Sequence, residues 1–196
     1  MEAGYDYVCD WVLDDQPIWV KTAHGPVLAM LASTGCTAFF GRSEASEIAR
    51  INVSSPDLRE GKPLPRQHSC KGREGSPALR WSSQPLSKAK SIAIVVDSHT
   101  PSTSAVHWVL YNIPATTTEL GPDSAESLPE GSSQAKVTSG KVGYEPPCND
   151  KGTYRFSVYT LSARVDVQEG ASLSEILKKI ADKTIARGRL TVVDIE

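Results

Sequence analysis

The stretch Ser91 to Asn112, SIAIVVDSHTPSTSAVHWVLYN, decides how the chain reads. Two runs rich in Val, Ile, Trp and Tyr, Ile92 to Val96 and Val106 to Tyr111, flank a short Ser/Thr/Pro connection, the pattern of two strands joined by a loop. Asp97, His99 and His107 stand at the loop's margins. An acid and two imidazoles at strand ends can bind a small anion, hold a metal or move a proton.

Working outward, Ile92 to Val96 is a continuous apolar run, as expected of a central strand covered on both faces. Arg50 to Ser54, Leu79 to Trp81 and Val106 to Ile113 are further strand candidates, and Tyr154 to Leu161 alternates as a strand does. Asp57 to Gln67 contains Gly61, Pro63 and Pro65 and reads as an extended loop. Thr116 to Gly143, rich in Gly, Ser, Thr and Pro, is a long irregular excursion. One helix is clearly signalled. Ser172 and Glu175 form a capping box, and Leu173, Ile176, Leu177, Ile180 and Ala181 share one face at helical spacing. The spacing predicts a helix over Ser172–Arg187 that stops at Gly188, followed by a short strand from Leu190 to Val193. The fold class is mainly β with one helix near the end.

Composition bounds the rest. The 196 residues include 39% hydrophobic and 22% charged side chains, enough for one sizeable core. A formal charge of −2 gives no electrostatic case for a nucleic-acid partner. No apolar run is long enough for a transmembrane helix. Cys9, Cys36, Cys70 and Cys148 show no CxxC spacing, so a zinc knuckle is not expected.

Residues 1–47 look unlike the remainder and are read as an N-terminal extension, with 41–47 a polar joint. Its apolar run from Pro26 to Ala32 and the following Ser33-Thr34-Gly35-Cys36 have the form of a signal ending in a lipoprotein cleavage box. Cys36 is then a lipidation candidate. The box lies about twenty residues too far from Met1 for such a signal, which a true start near Val20 would reconcile. The alternative is a buried strand or helix with an incidental cysteine.

From Ile51 onward the chain resembles the phosphatidylethanolamine-binding protein family, also called Raf kinase inhibitor-like, and its bacterial branch in particular. The resemblance is carried by the opening strand and Gly/Pro loop in INVSSPDLREGKPLPRQHSCKGREGSPALRW and by SIAIVVDSHTP in place of a strand ending in DPDAP. VHWVLYNIPA matches its HWVLYNIPA, and GKVGYEPPCNDKGTYRFSVYTL stands at the GYGGPCPP/HRY region. It implies an antiparallel β-sandwich with peripheral helices over 48–196 and a small anion pocket at one edge. Carried over residue by residue, it implies Asp97, His107 and Tyr154 as ligand-binding residues. His99 replaces the second aspartate, the HRY histidine is missing, and Glu145-Pro146-Pro147 replaces Gly-Gly-Pro. His99 is an additional ligand-binding candidate because it can restore the lost imidazole. Bacterial members often have cysteine where Cys70 and Cys148 stand; in an exported protein these two are the disulfide candidates, and in the cytosol they remain thiols.

The expected function is a non-enzymatic protein that binds a small anion or phosphorylated ligand in a degenerate pocket, needing no cofactor. The expected location is the cell envelope or periplasm, with a possible lipid anchor; a cytoplasmic location is the alternative. A second reading is a regulatory module that contacts a protein partner. A third is a metal-dependent hydrolase using Asp97, His99 and His107, since imidazole and carboxylate suit zinc. No Gly-x-Ser-x-Gly elbow or HExxH occurs and no nucleophile is evident. Trp108, next to a pocket histidine along the strand, is expected to face the opposite side and pack in the core.

Overall fold

The computed structural model describes residues 48–168 and 170–196. The extension, the polar joint and Cys36 lie outside them. The described chain forms, in order, β1 (Ala49–Arg50), β2 (Asn52–Ser54), a 3-10 turn (Arg66–His68), β3 (Leu79–Ser82), β4 (Ser91–His99), β5 (Ser104–Pro114), β6 (Glu119–Leu120), β7 (Ser133–Gln134), β8 (Thr153–Leu161), α1 (Leu173–Lys183) and β9 (Thr184–Val193). One sheet has the order β1-β9-β8-β4-β5-β7 and the other β2-β3-β6. All pairings between strands are antiparallel except the parallel β1–β9 seam. The mainly β sandwich expected from the sequence is the fold observed.

Alternation along β4 sorts the core into two layers. Ile92, Ile94 and Val96 point between the sheets, where they meet Trp81 of β3, Trp108 of β5 and Phe156 of β8. Ala93 and Val95 point outward and meet Ile176, Leu177 and Ile180 of α1. This double cover explains why the run lacks polar interruptions. The helix starts as its capping box requires, with the Ser172 hydroxyl accepting from the Glu175 amide at 3.2 Å.

Three sequence expectations are corrected. The Arg50–Ser54 strand divides at buried Ile51, where the chain passes from the large sheet to the small one. The helix ends at Lys183 rather than Arg187, because Thr184 adopts an extended conformation and opens a strand of ten residues. Gly188 is therefore no helix stop. It sits inside β9 where the β1–β2 corner crosses: the Ile51 amide donates to the Arg187 carbonyl at 3.0 Å, and a Cβ on Gly188 would stand 2.1 Å from the Ile51 carbonyl oxygen. Only glycine lets the two backbones approach this closely. Gly188→Ala should cost about 1–3 kcal/mol by overpacking; urea unfolding with a wild-type midpoint would count against this reading of the seam.

The excursion over 116–143 is tied down at intervals. β6 pairs with β3 and β7 with β5. Gln134 accepts from the Trp108 indole through its side-chain oxygen and donates to the Ala125 carbonyl through its amide.

Candidate functional site

The predicted site residues fall on two faces of the large sheet. β4 places Asp97 and His99 on the outward side and Ser98 on the inward side. On β5, Val96 faces Trp108 and Asp97 faces Val106, so His107 is an extra residue in a β-bulge. The bulge swings His107 inward alongside Trp108, correcting the expectation that the two side chains oppose each other. Ser98 also pairs in register with Tyr154 of β8. The inward cluster is thus Ser98, His107 and Tyr154, with the His107 and Tyr154 ring centroids 6.4 Å apart.

Each member of the cluster is held. His107 Nδ1 lies 3.1 Å from the Glu145 carbonyl oxygen, and Nε2 lies 2.8 Å from Ser98 Oγ. A carbonyl oxygen only accepts, so Nδ1 carries the proton, and in the neutral ring Nε2 accepts from the Ser98 hydroxyl. Burial lowers the His107 pKa below 6.5, opposed by the Glu145 carbonyl and carboxylate. The Tyr154 hydroxyl donates to the Asn149 carbonyl. Its pKa is raised by burial and by the carboxylates of Asp194 and Asp150.

Glu145 and Asn149 belong to a wall, residues 144–150, which a neighbouring loop clamps in place. The Cys70–Cys148 disulfide is formed, the Cys70 amide donates to the Pro147 carbonyl at 2.9 Å, and the Tyr144 hydroxyl donates to the His68 carbonyl at 3.0 Å. The Glu145 carboxylate pairs with Lys141 at 3.2 Å. Hydrogen bonds from Ser139 and Lys141 hold its pKa low.

Asp97 stands across the sheet from this cluster. It is fully buried, and its Oδ1 accepts from Nε and Nη2 of Arg155, each at 2.6 Å. Its Oδ2 has no hydrogen-bond partner. Burial pushes the Asp97 carboxyl up to about 6, although Arg155 foremost, then Arg189 and His99, pull the other way. His99 is exposed, its Nδ1 2.9 Å from Ser104 Oγ. The structure therefore brings His107 and Tyr154 together and leaves Asp97 and His99 on the other face. The metal trio Asp97, His99 and His107 does not converge; among the described residues no group of three metal-ligating side chains is placed to hold an ion.

Ser98 and Arg155 were missed as partners. Strand parity carried a signal for both: Ser98 follows Asp97 and so points the opposite way, and Arg155 follows Tyr154 in the same manner.

Comparison with known proteins bears on the family and the fold. A family model described as phosphatidylethanolamine-binding protein matches residues 54–194. A "UPF0098 protein" of Methanothermobacter thermautotrophicus is 33% identical over 146 residues, covering 71% of this chain and 95% of that protein. A Mycobacterium tuberculosis relative named "Putative lipoprotein LppC" is 31% identical, covering 71% of this chain and 70% of its own length. Among solved structures, Escherichia coli YbcL, titled a new member of the mammalian PEBP family, superposes with a TM-score of 0.69 at 28% identity. That match covers 76% of this chain and 99% of YbcL.

Proposed function

Because the chain belongs to the phosphatidylethanolamine-binding protein family, we propose that it is a non-enzymatic binding protein whose His107, Tyr154 and Ser98 cluster takes a small phosphate-like anion. The observation that carries this reading is the orientation of His107, fixed at Nδ1 by the Glu145 carbonyl with Nε2 turned to Ser98 beside the Tyr154 ring. A phosphate oxygen needs donors and positive charge. The neutral ring's single N–H is already engaged, so Nε2 becomes a donor only on protonation. Burial disfavours the imidazolium more than the Glu145 carboxylate, itself paired with Lys141, favours it, and Asp97 is turned away with Arg155. Affinity is accordingly weak at neutral pH and tightens on acidification.

Phosphate titration followed by imidazole NMR tests this. His107 should respond at pH 5.5 with at least threefold tighter binding than at pH 7.5, and His107→Ala should abolish it. A His107 signal unmoved by millimolar phosphate at both pH values would remove the reading.

We also place the protein in the cell envelope. The Cys70–Cys148 bridge suits an oxidising compartment, and one relative carries a lipoprotein name. Cys36 is the residue proposed for lipidation. The mass of the N-terminal peptide from native protein tests this: an unmodified peptide retaining Met1 excludes lipidation at Cys36. Among the described residues no helix is long and apolar enough to cross a membrane.

A further inference from the structure

The outward face of the large sheet carries a cavity of about 490 Å³ where β1, β8 and β9 meet. Arg50, Arg187 and Arg189 line it, together with Asn52, Ser157 and Thr191. Its described lining contains no carboxylate. Arg50 lies directly opposite Arg187 across the parallel β1–β9 seam. Arg189, two residues further along β9, projects to the same side. Arg189 is held in position, with its Nε donating to Ser157 Oγ at 3.2 Å. The nearby carboxylate of Asp97 is fully buried and committed through Oδ1 to Arg155. The cavity thus offers guanidinium, hydroxyl and amide groups. Planar guanidinium groups match phosphate oxygens two at a time.

We propose that this cavity is a second anion site, which binds a multiply charged phosphate group. It lies on the opposite face of the sheet from His107 and does not depend on the His107 reading. The phosphate can come from a soluble compound or from a lipid headgroup, and the same guanidinium groups would hold either.

The test titrates the full chain with inorganic pyrophosphate by calorimetry at low and at physiological salt. In parallel, flotation is measured with vesicles of phosphatidylcholine containing phosphatidic acid. Saturable pyrophosphate binding that weakens with salt, falls at least tenfold in the Arg50→Gln/Arg189→Gln double variant and is unchanged in His107→Ala is the expected result. Flotation that pyrophosphate competes away, and that the double variant loses, assigns the same site to a lipid source. If the double variant does not fold, as judged by circular dichroism, Arg50→Gln alone, on the exposed edge strand, should weaken pyrophosphate at least threefold. No binding of either probe, binding indifferent to these arginines, or binding abolished by His107→Ala overturns the proposal. Failure here leaves the His107 titration intact, because the two sites share no residue.

Discussion

Replacing Arg155 by Met should destabilise the protein by about 3–5 kcal/mol at pH 7.5, the cost of leaving a buried carboxylate without its partner. Asp97 is wholly buried, and Arg155 supplies both hydrogen bonds to its Oδ1. The penalty should shrink as pH falls. With Arg155 present the Asp97 carboxyl already titrates at about 6, raised from 3.8 by burial. Without the guanidinium it rises further. A folded-state pKa above the unfolded value means that the native state binds the proton more tightly. This group's contribution to stability is then complete below about pH 4 and is lost as pH rises through 6. The size of that change in wild type is about 3 kcal/mol, from the shift between 3.8 and about 6. It should appear as a pH-dependent difference between wild type and Asp97→Asn. For Arg155→Met, urea melts at pH 7.5 and 5.0 should show the deficit falling by half or more at the lower pH. The double variant Asp97→Asn/Arg155→Met should recover most of the loss at pH 7.5. An equal deficit at both pH values would mean that Arg155 acts by packing alone, and the buried pair would lose its assigned role.

The same residue shows where sequence reading reached its limit. The strand from Ile92, the wall around Cys148 and the strand from Tyr154 were all visible as segments, and their order implied a sandwich. Parity sets Asp97 and Ser98 on opposite faces, but which of the two shares a face with His107 depends on the register between β4 and β5. The bulge at His107 then reverses the parity of one residue, and no turn residue beside it announces the irregularity. A similar ambiguity governs Gly188. A glycine after a helical stripe reads as a stop, yet the same absence of a side chain serves a strand that another backbone crosses. Local spacing holds no information about the Ile51 carbonyl, which is 137 positions earlier in the chain. By contrast, the Ser172 capping box is local in both sequence and structure and was read correctly. Features whose partners lie within a turn were legible; those set by pairing between distant strands were not.

The pocket wall leads to the second large effect. Substituting Cys70 and Cys148 by Ser should lower stability by about 3–4 kcal/mol, since the bridge closes a loop of 78 residues of separation and the chain-entropy relation places its upper value near ~4.5 kcal/mol. For a chain of this size that corresponds to a fall in Tm of roughly 10 °C. The consequence should be local as well as global. The Glu145 carbonyl that orients His107 and the Asn149 carbonyl that receives the Tyr154 hydroxyl lie on either side of Cys148. Without the bridge the wall keeps the Cys70 amide bond to Pro147, the Tyr144 bond to the His68 carbonyl and the Lys71–Asp150 ion pair. The first two are ordinary hydrogen bonds, worth about 1 kcal/mol each, and the third is a partly exposed pair worth less than that. They cannot restrain the segment as a covalent bond does. The His107 and Tyr154 resonances should therefore broaden in the double variant, while His99, bonded to Ser104 on the opposite face, keeps its wild-type signal. Thermal unfolding with and without reductant, read alongside the histidine spectrum, separates the two effects. A lowered Tm with an unchanged His107 signal would show that the bridge stabilises the sandwich without shaping the site. An unchanged Tm would show that the wall needs no covalent tie.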